Sequence, residues 1–301
     1  MRIQGENTTP EWTILKLLQW TAAYFKKHHI ESPRTCAEML LAHTLSCQRL
    51  ELYLEYDKPL DAPELARFKA LIKRRIAGEP VAYIEGRKGF WKQVLEVSGD
   101  VLIPRPETEC LVETALEVIP EDPLVSTSSS PWCILELGVG SGAITLALAS
   151  ERAGNFFWAS ERSNEALLLA KRNILNYNTD ADILLLAGDW LKPFTPKPIF
   201  NLIISNPPYI RTEELEHLQP EIYKYEPLIA LDGGADGLNA IRRIIHNAHR
   251  YLKRQGYLLL EIGHDQEKEV RNIAEECGNY KKIEFIKDYN GHKRVVRIGN
   301  E

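Results

Sequence analysis

The chain has 301 residues, of which 26% are charged and 44% hydrophobic, with a net charge of −5. That is the composition of a globular protein of one large or two smaller domains, and it lacks the cationic excess of a sequence-blind nucleic-acid binder. Five scattered cysteines without a CxxC pair exclude a disulfide framework and a zinc site. The polar start "MRIQGENTTP" has no signal-peptide core, and no run nears the ~18 apolar residues of a membrane span. The reading is a cytoplasmic protein with free thiols, no metal and no membrane contact.

Residues 1–80 read as a helical bundle. Thr9-Pro10-Glu11 starts a helix in which Trp12, Leu15, Leu18, Ala22 and Phe25 recur at helical spacing. Ser32-Pro33 repeats the start signal, and Asp61 with Glu64 forms a capping box ahead of "LARFKALIKRRIAG". Lys69, Lys73, Arg74 and Arg75 read as a solvated helix face, with contact to a partner or nucleic acid as the alternative. Residues 81–106 form a connector, in which β-formers on either side of "EGRKG" predict a hairpin turning there. "IPEDPLVSTSSSP" at 119–131 reads as a loop.

Over 107–301 strands alternate with helices. "WCILELG", "NFFWASE", "DILLLAGD", "FNLIISN" and "YLLLEIG" are strands, and "GLNAIRRIIHNAHRYLKRQG" is a helix expected to end at Gly256. Alternation implies a parallel sheet with crossover helices. Asn290-Gly291 between two β-runs closes the chain with an antiparallel hairpin at or near the sheet edge. The fold class is therefore α/β: a Rossmann-like, mostly parallel sheet ending in a hairpin, the usual architecture of Rossmann-like methyltransferases.

The turn Gly138-Val139-Gly140-Ser141-Gly142 lies between the first strand of this sheet and its helix, where glycines let backbone approach a ligand. Glu161 ends the second strand, where a carboxylate accepts both hydroxyls of a ribose. Asp189 and Trp190 follow the third, where an acid and a ring suit adenine. Those residues fit NAD or S-adenosylmethionine alike. Glu136, placed to hold a methionine end, and the lack of a hydride-transfer constellation favour S-adenosylmethionine.

Asn206-Pro207-Pro208-Tyr209 ends the fourth strand. A conjugated NH₂ is a poor nucleophile because its lone pair is delocalised. To methylate it, a protein must pull its hydrogens out of plane beside the methyl donor. The Asn206 side-chain oxygen and the Pro207 carbonyl supply two acceptors, prolines stiffen them, and Tyr209 packs on the flat face of the target.

"NPPY" after such a strand resembles the signature of methyltransferases acting on planar nitrogens: glutamine, adenine or guanine. With "GEPVAYIEG", "LIPRPETE", "LDGGADGL" and a helical N-terminal domain, nearly the whole chain resembles the HemK/PrmC family of protein-(glutamine-N5) methyltransferases. The resemblance implies S-adenosylmethionine as cofactor and peptide chain release factors as protein substrate, modified at a glutamine on a glycine-flanked loop. It makes residues 1–80 a substrate-recognition domain and implies no stable nucleic-acid partner. It carries the cofactor turn onto Gly138–Gly142, the ribose acid onto Glu161, the adenine side onto Asp189 and Trp190, and catalysis onto Asn206–Tyr209. Arg105, Glu107 and Thr108 are expected to line the cofactor pocket. The chain departs from the family in "ELGVGSG", where Asp and Thr are more frequent, and in Glu161, where Asp is usual.

Two other readings share parts of this pattern. A nucleic-acid amino methyltransferase would use the same Asn206 chemistry; a DNA enzyme needs a recognition domain and a basic face, neither of them evident here, whereas an RNA enzyme stays open, since the N-terminal bundle could bind RNA. A non-catalytic module keeping the fold is opposed by the intact "NPPY".

Overall fold

The computed structural model describes residues 12–121, 130–177 and 179–300. The expected helix start at Thr9-Pro10-Glu11 and most of the 119–131 loop lie outside them. The chain divides into two units, Met1–Gly86 and Arg87–Glu301.

In the first unit, helix α1 (Ile14–Lys27) is capped by Thr13, whose hydroxyl accepts from Lys16 N at 3.4 Å. Helix α2 (Pro33–Leu45) starts at the expected proline, although the Ser32 side chain makes no cap. The short α3 (Arg49–Leu54) has too few residues to show a period in the sequence. Before α4 (Ala62–Ile76) the capping box forms as read: Asp61 Oδ1 accepts from Glu64 N at 2.7 Å, and Glu64 Oε2 accepts from Asp61 N at 2.9 Å. These helices bury Leu18, Phe25, Leu40, Leu41 and Phe68 against one another. The basic cluster is not a uniformly solvated face. Arg75 is buried and donates to the Glu79 carbonyl, while Arg74 grips the Glu79 carboxylate through two nitrogens. "VAYIE", read as β-forming, is helix α5 (Val81–Glu85). Pro80 sets its entry at φ −58, and Ile84 is drawn into the helical core, so tertiary burial overrides strand propensity.

The second unit opens with the predicted hairpin, β1 (Arg87–Phe90) and β2 (Gln93–Glu96), but its turn is Trp91-Lys92 and not "EGRKG". Trp91 takes a left-handed φ of 53 there. Its N–H donates to Glu109 at 2.9 Å and its indole to Glu151 at 2.8 Å, which holds that backbone in place. Phe90 and Leu95 join the core of this unit.

Helix α6 (Glu109–Val118) precedes the alternating elements: β3 (Cys133–Leu137), α7 (Ala143–Glu151), β4 (Phe156–Glu161), α8 (Asn164–Tyr177), β5 (Asp182–Ala187) and β6 (Phe200–Ser205). Short α9 (Pro220–Tyr225) leads to α10 (Asn239–Ala248), β7 (Leu252–Glu261), α11 (Glu267–Cys277), β8 (Tyr280–Lys287) and β9 (Lys293–Asn300). The helix expected to reach Gly256 stops at Ala248, because Leu252 is buried opposite Phe200 and strand pairing begins there. A register irregularity between Phe200 and Leu202 absorbs the extra residues.

The seven strands lie in the order β5-β4-β3-β6-β7-β9-β8. The first five pair in parallel, and β9 runs antiparallel to both its neighbours. Along β6, Leu202 and Ile204 pack with α6 and α7 residues such as Leu111 and Leu148, while Ile203 packs with Ile241 and Ile244 of α10. Both faces are covered, so the central strands read as unbroken apolar runs. Among the described residues no helix is long and apolar enough to cross a membrane.

Asn173 of α8 fastens the hairpin to this sheet. Its Oδ1 accepts from Glu96 N at 2.8 Å, and its Nδ2 donates to the Glu96 carbonyl at 3.0 Å and to the Ser141 carbonyl at 2.8 Å. Asn173→Ala leaves these groups without their partner, with an expected loss of about 2–4 kcal/mol of stability. Thermal unfolding checks this; a melting temperature unchanged within about 1 °C contradicts it.

Candidate active site

The sheet changes winding direction between β3 and β6: the chain goes outward through β4 and β5, then returns to the other side of β3. Ligands of such sheets bind at that point, beyond the carboxyl ends of the strands. A cleft of about 500 Å³ opens there, lined by Glu136, Gly138, Val139, Gly140, Ser141, Glu161, Asp189, Trp190, Asn206 and Pro208. Of the other residues singled out in the sequence, Arg105 and Thr108 line it, whereas Glu107, Gly142, Pro207 and Tyr209 do not.

The glycine turn is held from two sides. Gly138 N and Val139 N donate to the Ser160 carbonyl of β4 at 2.8 and 3.1 Å. Gly138 has φ +75, and a Cβ there would meet the Trp190 ring at 3.3 Å. The ring therefore packs against the turn where any larger residue would crowd it. Gly142 is the residue before α7 and faces Ala170, which explains its absence from the cleft.

Glu161 already has partners. Its Oε2 accepts from Gly140 N at 3.0 Å, and its Oε1 accepts from Arg162 N at 2.8 Å and Ser163 N at 3.0 Å. The carboxylate thus ties the glycine turn to the approach of α8 and keeps one lone pair as an acceptor at the cleft it lines. Asp189 is gripped by Arg243 and Lys192, each at 2.9 Å. Burial opposes its ionisation, but these two cations hold it below the ordinary carboxylate range.

Glu136 is buried in β3 beneath α7, where its Oε2 accepts from Thr145 N at 2.9 Å and from the Thr145 hydroxyl. Burial lifts its pKa to about 8, against the pull of Thr145 and with a push from Glu161. An acid so desolvated beside a cleft favours a cationic occupant, which would restore its charge.

Asn206 ends β6. Its Nδ2 donates to Thr108 Oγ1 at 3.2 Å, which leaves the carboxamide oxygen as an acceptor for the cleft. Tyr209 is not placed to cover a ligand in this cleft. Its ring packs on the core and its hydroxyl donates to Glu261 at 3.1 Å. Pro207 is buried. Sequence reasoning also missed Arg243, Pro227 and Glu226. Arg243 and Pro227 line the cleft, and buried Glu226 pairs with Arg105 at 2.5 Å and accepts from Ile103 N at 3.2 Å. Arg243 reads in sequence as one more polar position of an amphipathic helix, and no spacing links Glu226 to a residue more than a hundred positions away.

The "LDGGADGL" segment props up the Asn-Pro-Pro-Tyr loop. Ile210 N donates to the Leu231 carbonyl at 3.1 Å, and Gln266 Nε2 donates to the Tyr209 carbonyl at 2.9 Å. Gly237 has φ +74, and a Cβ there would lie 2.5 Å from the Tyr209 carbonyl oxygen and 2.7 Å from Gln266 Nε2. Gly237→Ala must therefore displace the loop that carries Asn206. Turnover is expected to fall on the order of 10²-fold, as for a displacement of about 1 Å at a reacting centre. A steady-state rate within about threefold of the parent contradicts the coupling.

Comparison with known proteins identifies the family. Residues 16–86 match the model of the PrmC N-terminal domain, and residues 124–222 that of the methyltransferase small domain. A release factor glutamine methyltransferase of Rhodopirellula baltica is 38% identical over 295 residues, 98% of each chain. One of Geobacter sulfurreducens is 40% identical over 290 residues, 96% of this chain and 98% of the relative. Among solved structures, the hMettl16 catalytic domain in complex with the MAT2A 3′UTR hairpin 6 superposes with a TM-score of 0.54 at 14% identity, covering 80% of this chain and 82% of that one, a likeness of fold alone. Identity of this extent along the whole chain, on a sheet whose switch-point cleft carries the glycine turn and the Asn-Pro-Pro-Tyr loop, means that the protein belongs to the release factor glutamine methyltransferase family.

Proposed function

We propose that this chain methylates the side-chain amide nitrogen of a glutamine in peptide chain release factors, using S-adenosylmethionine, in the cytoplasm. The observation that carries the reading is Asn206. Its carboxamide is oriented by Thr108 on the cleft that also holds the glycine turn and the strand-end acids.

The cleft's donor set suits the cofactor. Glu161 would meet the ribose hydroxyls, and Trp190 with Asp189 the adenine side. Glu136, whose charge is suppressed by burial, would meet the cationic methionine end. When bound, S-adenosylmethionine supplies an electrophilic methyl on a sulfonium. The chain's residues prepare the acceptor. Asn206 Oδ1 takes one amide hydrogen of the glutamine, and the Pro207 carbonyl is the candidate for the other. Both draw the NH₂ out of conjugation, so its lone pair becomes available. The S–C bond would break as the N–C bond forms, leaving a neutral thioether, and the nitrogen, then cationic, gives its proton to water, so no strong base is required.

The helical first unit would recognise the folded partner, and a protein loop bearing glutamine would enter the cleft. Exposed Trp20, stacked on Tyr24 at 4.9 Å, gives that unit apolar contact area to offer.

Incubation with methyl-labelled cofactor and a cell extract tests the reading. Label is expected in a release factor glutamine, identified by mass spectrometry; label in nucleic acid would overturn it in favour of base methylation. Asn206→Ala is expected to cost on the order of 10²–10³ in kcat while cofactor binding persists. A variant within a few-fold of the parent removes Asn206 from the chemistry. Glu161→Ala should behave differently, because ribose contacts are made in ground and transition states alike. The expected change is a raised KM for S-adenosylmethionine with kcat less affected, and a heavy fall in kcat at saturating cofactor contradicts the ribose assignment.

A further inference from the structure

Glu261 ends β7, only 1% exposed, and is not part of the cleft lining. Its Oε1 accepts the Tyr209 hydroxyl at 3.1 Å, and its Oε2 is buried without a hydrogen-bond partner. An apolar residue would fill this end of a central strand at lower cost than a half-satisfied carboxyl. Its neighbours explain its presence. Tyr209 belongs to the Asn-Pro-Pro-Tyr loop, and the Thr108 hydroxyl, which accepts Asn206 Nδ2 at 3.2 Å, also favours the ionised form of Glu261.

We propose that Glu261 is a positioning residue of the methyl-transfer site, holding the Asn-Pro-Pro-Tyr loop that carries Asn206 through its bond to the Tyr209 hydroxyl. The inference rests on the transfer reaction proposed above.

Its logic is one of hydrogen-bond polarity. An ionised carboxylate has acceptors only. The Tyr209 hydroxyl must then turn its hydrogen toward it. A phenol so bonded fixes one end of the loop whose other end is Asn206. A protonated Glu261 can itself donate, and that fixed polarity is lost.

The charge around Glu261 comes from several elements. Glu107, just before α6, pushes its pKa up, while Arg294 of β9 pulls it down, as do the Thr108 and Tyr209 hydroxyls. Arg294 is shared with Asp288 at 3.3 Å. Cys110 of α6 also feels Glu261, but burial pushes its thiol up to about 11, so it stays neutral. Burial together with Glu261 raises the Tyr209 phenol, which Arg294 and Arg105 oppose, so it keeps its proton and remains a donor. For Glu261 itself burial dominates and places its pKa at about 7. Ionisation on raising the pH through that value establishes the productive polarity, so kcat should rise there.

The test measures kcat for release factor methylation at saturating cofactor and protein substrate, between roughly pH 6 and 8, for the parent and Glu261→Gln. The parent is expected to show a rise in kcat centred near 7. Glu261→Gln is expected to lose that step and to run about tenfold slower at the upper end, with its KM for S-adenosylmethionine within about twofold of the parent. Adding Tyr209→Phe to Glu261→Gln should cost less than Tyr209→Phe costs in the parent, because the two act in series. A Gln variant that keeps the parent's kcat and pH step, or loses thermal stability alone, would overturn the inference. A parent that methylates no glutamine at any pH would overturn the reaction itself and this inference with it, which is a distinct result.

Discussion

Everything at the site depends on the parallel registration of β5, β4, β3 and β6. Because these strands run the same way, their carboxyl ends reach one edge of the sheet together. Glu136 pairs in register with Ala159 on one side and Ile204 on the other, so the residues just beyond β4 and β6 flank the residues just beyond β3. The glycine turn, Glu161 and Asn206 are thereby brought to one edge by backbone ladders, and the Glu161 carboxylate then ties itself to the turn through Gly140 N. A one-residue slip in any of these strands would turn its apolar side chains to the wrong face of the sheet. Burial of Leu202 and Ile204 on one face and Ile203 on the other therefore fixes where Asn206 emerges.

That arrangement places carboxyl groups where water is scarce. Glu136, Glu226 and Glu261 are each 4% exposed or less, and each has a different solution. Glu226 is paired with Arg105, Glu136 has only neutral donors from Thr145, and Glu261 has only the Tyr209 hydroxyl as a hydrogen-bond donor. The physical consequence is graded. Where no cation pairs directly with the carboxyl, burial wins and the acid is driven toward its neutral form, to about 8 for Glu136 and, against the pull of Arg294, to about 7 for Glu261. Unpaired buried acids of this kind cost stability, and they cluster here around one cleft, as they do where function and not folding determines residue choice.

Much of this was legible in the sequence because the signals are local. Strand–helix alternation, Asn290-Gly291 and the Asp61–Glu64 box each depend on a few neighbouring residues, and each appears in the structure. The strand-end positions of Glu161 and Asn206 follow from the same local patterning. What stayed hidden depends on tertiary partners. "VAYIE" has strand propensity but helical burial, and the hairpin turn shifts to Trp91 because Glu109 and Glu151, distant in sequence, hold it there. The end of α10 is set by pairing of Leu252 with Phe200. The sequence places Tyr209 to cover a flat substrate, and only the fold reveals that Glu261 claims its hydroxyl.

The departure at Glu161 illustrates how the two kinds of information combine. The family more often has Asp here, and sequence alone suggests only a longer arm. The structure gives that arm three amide partners, Gly140, Arg162 and Ser163, spread over the glycine turn and the start of the α8 segment. A carboxylate that accepts three backbone N–H groups is rigid before any ligand arrives, and it also fixes the turn against which the ligand must lie. Its two oxygens offer roughly four acceptor sites, and three are in use. A ribose diol would therefore have to share oxygens with the backbone donors, so each hydroxyl contact adds to an already oriented acceptor and orders little that is not ordered already. That end of the cleft is preorganised in this sense by the same residue that would meet the sugar in the function proposed above.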